Sequence, residues 1–151
     1  MFGINGLATI SSNGGKVRIG VGNLLARHRF RYLRHSAGGL GICHDDPETT
    51  PPAKLRYDAC LTVDEEFAPR GDIGVQTVVG GAYAMTTHTG PYNQIGRTYA
   101  EFLGQWIPRS GHGLRNAPCF EVYVNDPGST PPEELLTDIY APLQDLELIL
   151  K

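Results

Sequence analysis

Asp46-Pro47-Glu48-Thr49-Thr50-Pro51-Pro52-Ala53-Lys54-Leu55-Arg56-Tyr57-Asp58 returns eighty positions further along as Asp126-Pro127-Gly128-Ser129-Thr130-Pro131-Pro132-Glu133-Glu134-Leu135-Leu136-Thr137-Asp138. Seven of the thirteen positions are identical without a gap, including the whole Thr-Pro-Pro. Composition does not produce that by chance. The chain therefore reads as an internal duplication, with repeats at about residues 1–63 and 81–143. A functional site is then best sought where the two halves differ.

The elements flanking the repeated segment follow the same order in each half. Gly39-Leu40-Gly41-Ile42-Cys43-His44 matches Cys119-Phe120-Glu121-Val122-Tyr123-Val124 as a short strand, and Lys54 to Thr62 matches Glu134 to Pro142. Tyr57, Ala59, Leu61 and Val63 alternate with polar neighbours, the period of a half-buried strand. Ahead of these in the second half, Val75 to Val79 and Ala82 to His88 read as strands on either side of a Gly80-Gly81 break. Gly90-Pro91 then puts proline in the first turn of a helix, where its missing N–H costs nothing. That helix carries Ile95, Tyr99, Phe102, Leu103 and Trp106 on one face and is expected to end before Pro108. In the first half, Leu7 to Ser12 reads as a strand, and Val21, Leu24, Leu25, His28 and Tyr32 predict a helix from about Val17 to Leu33. Laid on the second half, Ala8 falls on Ala84, Gly14 on Gly90, Ile19 on Ile95 and Gly20 on Gly96.

The expected fold is α+β. Two strand–helix–strand–strand modules form an antiparallel-rich sheet, with two helices on one face and a ligand cleft on the other. Thr130-Pro131-Pro132-Glu133 has the form of a capping box, and Thr50-Pro51-Pro52-Ala53 keeps its threonine without the glutamate.

The 151 residues suit one domain, 1–151, large enough for a real core. A net charge of −3 argues against a face built for phosphate backbones. The cationic run from Arg27 to Arg34 reads as a solvated helix face rather than a nucleic-acid patch. No apolar run approaches the ~18 residues of a membrane span, and Met-Phe-Gly-Ile-Asn-Gly lacks the character of a signal peptide. Cys43, Cys60 and Cys119 are an odd set without metal spacing, which points to reduced thiols in the cytoplasm. His44-Asp45-Asp46 reads as a turn rather than a metal site, and His88 as a capping or packing residue. No cofactor or metal is expected.

Strand alternation supplies the candidate site. With Phe120, Val122 and Val124 under the helices, Glu121 and Tyr123 point to the opposite face. Opposite Glu121 in the duplicate strand stands Gly41, which has no side chain, so a gap is expected beside a carboxylate. Tyr57, Tyr83, Tyr92, Tyr123, Phe67 and Tyr140 are the rings available to wall it. Such a pocket suits a lipophilic cation, through cation–π attraction and neutralisation of the buried charge.

These residues also carry a family resemblance. His88-Thr89-Gly90-Pro91-Tyr92 followed by Ile95-Gly96, Phe120-Glu121-Val122-Tyr123 followed by Asn125-Asp126-Pro127, Ile42-Cys43-His44-Asp45-Asp46-Pro47 and Arg56-Tyr57-Asp58-Ala59-Cys60 resemble the GyrI-like effector-binding family. The resemblance runs from about Leu40 to Leu143. It implies a duplicated module with a pocket between its halves, as in the ligand-binding domains of AraC-type and MerR-type regulators and in stand-alone gyrase-inhibitor-like proteins. It also implies that Glu121 is the glutamate that meets lipophilic cations in multidrug-sensing members. Together with the strand pattern, the ligand-binding residues expected are Glu121, Tyr123, Tyr92, Tyr83, Tyr57 and Gly41. Some relatives hydrolyse cyclopropane-bearing toxins, and there Glu121 would be a water-activating base or a charge stabiliser; capture of an aromatic or cationic small molecule is the favoured reading. A transcription regulator or DNA gyrase is the protein partner implied, with no direct contact to nucleic acid or membrane. The first half departs from the family pattern, with Ser12-Asn13-Gly14-Gly15-Lys16 in place of the His-x-Gly-Pro-Tyr segment. A helix-turn-helix domain is not expected beside the effector fold.

Overall fold

The two Thr-Pro-Pro segments make the same turn. A computed structural model describes residues 4–10, 16–22, 39–45, 49–54, 56–62, 66–68, 74–79 and 81–144. Within it Pro52–Lys54 and Pro132–Glu134 are single 3-10 turns. The Lys54 N–H donates to the Pro51 carbonyl at 2.8 Å and the Glu134 N–H to the Pro131 carbonyl at 2.9 Å. No threonine side chain caps the second turn, because Pro131 itself occupies the N-cap position. The capping box read from Thr130 to Glu133 is therefore not made. Each turn delivers the chain into a strand.

The strands are β1 (Ile4–Ile10), β2 (Lys16–Gly22), β3 (Gly39–Cys43), β4 (Tyr57–Thr62), β5 (Gly74–Val79), β6 (Gly81–Thr89), β7 (Cys119–Tyr123) and β8 (Leu136–Pro142). They form one antiparallel sheet in the order β1-β6-β8-β7-β3-β4-β2-β5. The fold is α+β, as expected. The two matched strands β3 and β7 pair at its centre, with Gly41 directly opposite Glu121 and Cys43 directly opposite Cys119. The repeat equivalents Gly41 and Glu121 thus meet each other.

The beginning of the chain differs from the expectation. Lys16–Gly22 is a strand rather than the start of a helix, and it lies against β4 as β6 lies against β8. Its Val17-Arg18-Ile19-Gly20-Val21-Gly22 alternates β-branched residues at every second position, a strand period that two adjacent pairings make decisive. So β2, not β1, stands where β6 stands in the other half, and β1 pairs with β6 itself. The rest of the expected first helix, and the cationic run within it, lie outside the described residues.

The helical segment described begins with a 3-10 turn, Tyr92–Gln94, and continues as α1 (Ile95–Glu101). It then passes through a π turn, Phe102–Trp106, into α2 (Ile107–Ser110). Pro108 does not end it. The proline falls in the first turn of α2, immediately after the wider π turn, so its missing N–H and its ring are accommodated there. Gly111, at φ 76°, closes the segment in the left-handed conformation.

Core residues lie on both faces of the sheet. Under the helical segment Ala84, Ile139, Ala141 and Leu143 cluster with Phe102 and Ile107. On the other face Leu40, Ile42, Cys60, Tyr83 and Phe120 form a second cluster, joined by Val78 of β5, Val122 and Tyr140. Phe120 stacks on Tyr140 with centroids 4.7 Å apart and meets Tyr83 edge-on at 5.4 Å. Phe120 and Val122 are therefore on the face away from the helix, the reverse of the expected assignment. The physical reason is two-sided burial: when both faces are covered, an apolar alternation does not say which face bears the helix.

Ile139 is fully buried between β6 and β7 beneath the helical segment. Ile139→Ala is expected to lower the free energy of unfolding by about 2–5 kcal/mol in urea titration.

Candidate functional site

Glu121 is 6% exposed and sits on the helix-bearing face of β7. A carboxylate removed from water must find hydrogen-bond donors, and here it finds three. Tyr99, on α1, donates to Oε1 at 3.0 Å; Tyr123, two residues along β7, donates to Oε2 at 2.8 Å. The Cys43 thiol on β3 points at Oε1 from 3.5 Å, and the Tyr99 hydroxyl lies 3.9 Å from the same sulfur. The ion pairs among the described residues join His44 to Asp58, Arg56 to Asp45 and Arg97 to Glu101. None includes Glu121.

Gly41 explains how these groups fit. A Cβ built on it would stand 2.6 Å from the Tyr57 ring carbon Cζ and 2.7 Å from the Tyr123 hydroxyl. The gap expected beside Glu121 is thus filled from above by two phenols, whose hydroxyls meet each other there. Tyr57 reaches this place from the start of β4. Ahead of it, Arg56 clamps Asp45 through its backbone N–H and Nε at 2.9 Å each and through Nη2 at 2.7 Å. That guanidinium holds the half-buried Asp45 carboxyl down at about 2.

Tyr92 completes the aromatic rim. Its ring meets Tyr123 edge-on, centroids 5.5 Å apart. His88 sets its position from below: buried, its Nε2–H donates to the Pro91 carbonyl at 3.2 Å while Nδ1 lies 2.8 Å from the Thr98 hydroxyl. The bond ties the end of β6 to the start of α1, a packing role. Gly90 between them has φ 131°, a conformation glycine alone adopts readily. Tyr57 and Tyr92 are 39% and 37% exposed, so the rim opens to solvent.

Of the six residues expected at the site, the structure brings together Glu121, Tyr123, Tyr92, Tyr57 and Gly41. Tyr83 is not among them. It lies in the opposite core cluster, 2% exposed, with the Arg115 guanidinium 4.8 Å over its ring. Tyr140 shares that far cluster. The reason is register: Tyr140 is paired with Phe120, while Glu121 is paired with Ile139. Glu121 and Tyr123 share the helix's face rather than the opposite one.

Tyr99, Cys43 and Cys119 are the residues that sequence reasoning missed. Tyr99 was legible only as a core position, although a tyrosine on a buried face requires a partner for its hydroxyl. Burial, with the Glu121 charge as second cause, pushes the Tyr99 and Tyr123 phenols far above their usual range. The same two causes raise the Cys43 thiol from 9.0 to about 12 and Cys119 to about 11. All four therefore remain protonated at neutral pH, and the phenols and Cys43 stay available as donors.

A buried carboxylate between matched strands, beneath tyrosines and beside the Gly90-Pro91-Tyr92 helix start, coincides with a family match. The family model for the GyrI-like small molecule binding domain covers residues 11–144. The chain belongs to this family. Like other GyrI-like chains, it carries a small-molecule-binding domain. It is 36% identical over 106 residues to the probable transcriptional regulator YgiV of Escherichia coli K12, covering 69% of this chain and 66% of that protein. It thus spans just under two thirds of that relative's length. In fold it is similar to the C-terminal domain of EcmrR, with a TM-score of 0.69 and 18% identity over 93% of this chain and 96% of that one. It is likewise similar to SAV2435 solved with tetraphenylphosphonium, with a TM-score of 0.61 and 18% identity over 94% of each. No helix among the described residues is long and apolar enough to cross a membrane.

Two outcomes follow from the geometry. Groups whose pKa is raised on folding favour the folded state fully only below their unfolded values, so alkali must erode that advantage. Stability in urea under reductant is expected to fall as pH rises through 9 and 10 toward 12, and to fall less steeply in Tyr99→Phe. Second, Gly41→Ala must drive Tyr57 outward. Its cost, about 1–3 kcal/mol for overpacking, is expected to shrink in a Tyr57→Ala background when the two are combined in a double-mutant cycle.

Proposed function

We propose that this protein captures lipophilic organic cations, with Glu121 supplying the charge and Tyr57, Tyr92 and Tyr123 the walls. One observation carries the reading: among the described residues the buried Glu121 receives only neutral O–H and S–H donors and forms no ion pair. A permanent cation brought over the rim adds the missing opposite charge in a setting of low dielectric, where the attraction is strongest. The faces of the rim tyrosines attract the same charge, and an apolar cation sheds little hydration on entry.

Entry requires Tyr57 to swing away from Tyr123. Tyr57 is the more exposed of the two, and its hydroxyl contact with Tyr123 is the one that must open, so it is the moving part of the rim. Tyr123 stays bound to Glu121. Because three donors already engage the carboxylate, its oxygens are better suited to charge stabilisation than to taking a proton from water. That favours capture over hydrolysis. Capture in turn suits sensing or sequestration of toxic amphipathic compounds.

Tetraphenylphosphonium in a thermal-shift assay tests the reading. At a concentration about a hundredfold above Kd, binding contributes about 2.7 kcal/mol, which raises Tm by roughly 5–10 °C for a chain of this size. Glu121→Gln is expected to abolish most of the rise, and neutral triphenylphosphine oxide to give little of it. An unchanged rise in Glu121→Gln, or none in the parent, would overturn the proposal.

A further inference from the structure

Beside the carboxylate lies a second chemical feature, a pair of thiols of which organic-cation capture uses only the Cys43 S–H donor. Cys43 on β3 and Cys119 on β7 are directly opposite one another in the central ladder and point to the same face. Both are free and partly exposed. We propose that the two thiols form a ligating pair for a thiophilic divalent cation of the mercuric type, held between the strands next to Glu121.

The geometry suits two-coordinate binding. Side chains directly opposite on antiparallel strands start from Cβ atoms about 4.5–5.5 Å apart. Two metal–sulfur bonds of about 2.3 Å end to end span a similar distance. Among the described residues no three histidines, cysteines or acids form a metal-holding group. A four-coordinate zinc centre therefore lacks a ligand set there, whereas a soft ion that takes two thiolates needs nothing more.

Charge selects the valence. Two thiolates and a divalent ion make a neutral centre, which a partly buried place can hold without uncompensated charge. A monovalent soft ion would leave a net negative charge close to Glu121, whose Oε1 is 3.5 Å from the Cys43 sulfur. Binding needs no oxidant: each S–H bond breaks as a sulfur–metal bond forms, and both protons pass to solvent.

Cys60 provides an internal control. It is the remaining cysteine of the chain, 4% exposed, in the core cluster on the opposite face. The reduced full chain is loaded with one equivalent of mercuric chloride, challenged with excess glutathione, and read by native mass spectrometry. A chelated ion resists a monothiol because its second bond is intramolecular, an advantage of about 10²–10⁴-fold. The parent and Cys60→Ser are expected to keep the ion. Cys43→Ser and Cys119→Ser are expected to lose it. Circular dichroism of the ion-free variants checks folding, and Cys43→Ala and Cys119→Ala replace any serine variant that unfolds. Equal retention by the parent and a folded Cys119 variant overturns the proposal, as does retention that depends on Cys60. Thiol ligation and organic-cation capture can fail separately, since tetraphenylphosphonium has no affinity for sulfur.

Discussion

A carboxylate buried at the middle of a sheet constrains everything packed around it. Water is no longer there to solvate Glu121, so each oxygen must be met by a donor held at hydrogen-bond distance. Tyr99 must come from the helix, Tyr123 from the same strand and Cys43 from the neighbouring one. Those requirements fix how α1 lies over β3 and β7. They also demand glycine at position 41, since any larger residue would occupy the space where the Tyr57 and Tyr123 hydroxyls meet.

The pseudo-symmetry of the duplication gives this site its asymmetry. Residues 41 and 121 are repeat equivalents, and the ladder places them face to face. Two carboxylates there would be like charges at close quarters in a low dielectric, and both could not ionise. Only one half can contribute the charge; the other must give way. The first half supplies space at Gly41 and a thiol at Cys43, and the second supplies the carboxylate at Glu121 and a phenol at Tyr123. The proposed ligand site lies where the two similar segments differ, while the Thr-Pro-Pro turns only seat the strands.

Much of this was legible because it depends on local chemistry. The turn segments, the matched strands 39–43 and 119–123 and the Gly90-Pro91 helix start all follow from short-range rules. What misled was any inference that needed to know the neighbours. Pro108 reads as a helix end, yet the π turn before it carries the helix to Ser110. Residues 17–22 fit a helical spacing as well as a strand alternation, and pairing with β4 and β5 decides between them. Tyr83 is an aromatic of the right type in the right half, but register puts it on the far face.

By itself the sequence determined the repeated Thr-Pro-Pro segment, the α+β class and the correspondence of a glutamate with a glycine in the two similar strands. These are properties of residue type and spacing, and they survive any error about faces. Only the tertiary structure decided which face of the sheet the helix covers, and therefore which tyrosines reach Glu121. Alternation assigns residues to two sides without naming either side, and here both sides are buried. Tyr99 and the Cys43–Cys119 pair become neighbours of the carboxylate solely through helix docking and strand register. Contacts of that kind join residues more than twenty positions apart, beyond the reach of any local pattern.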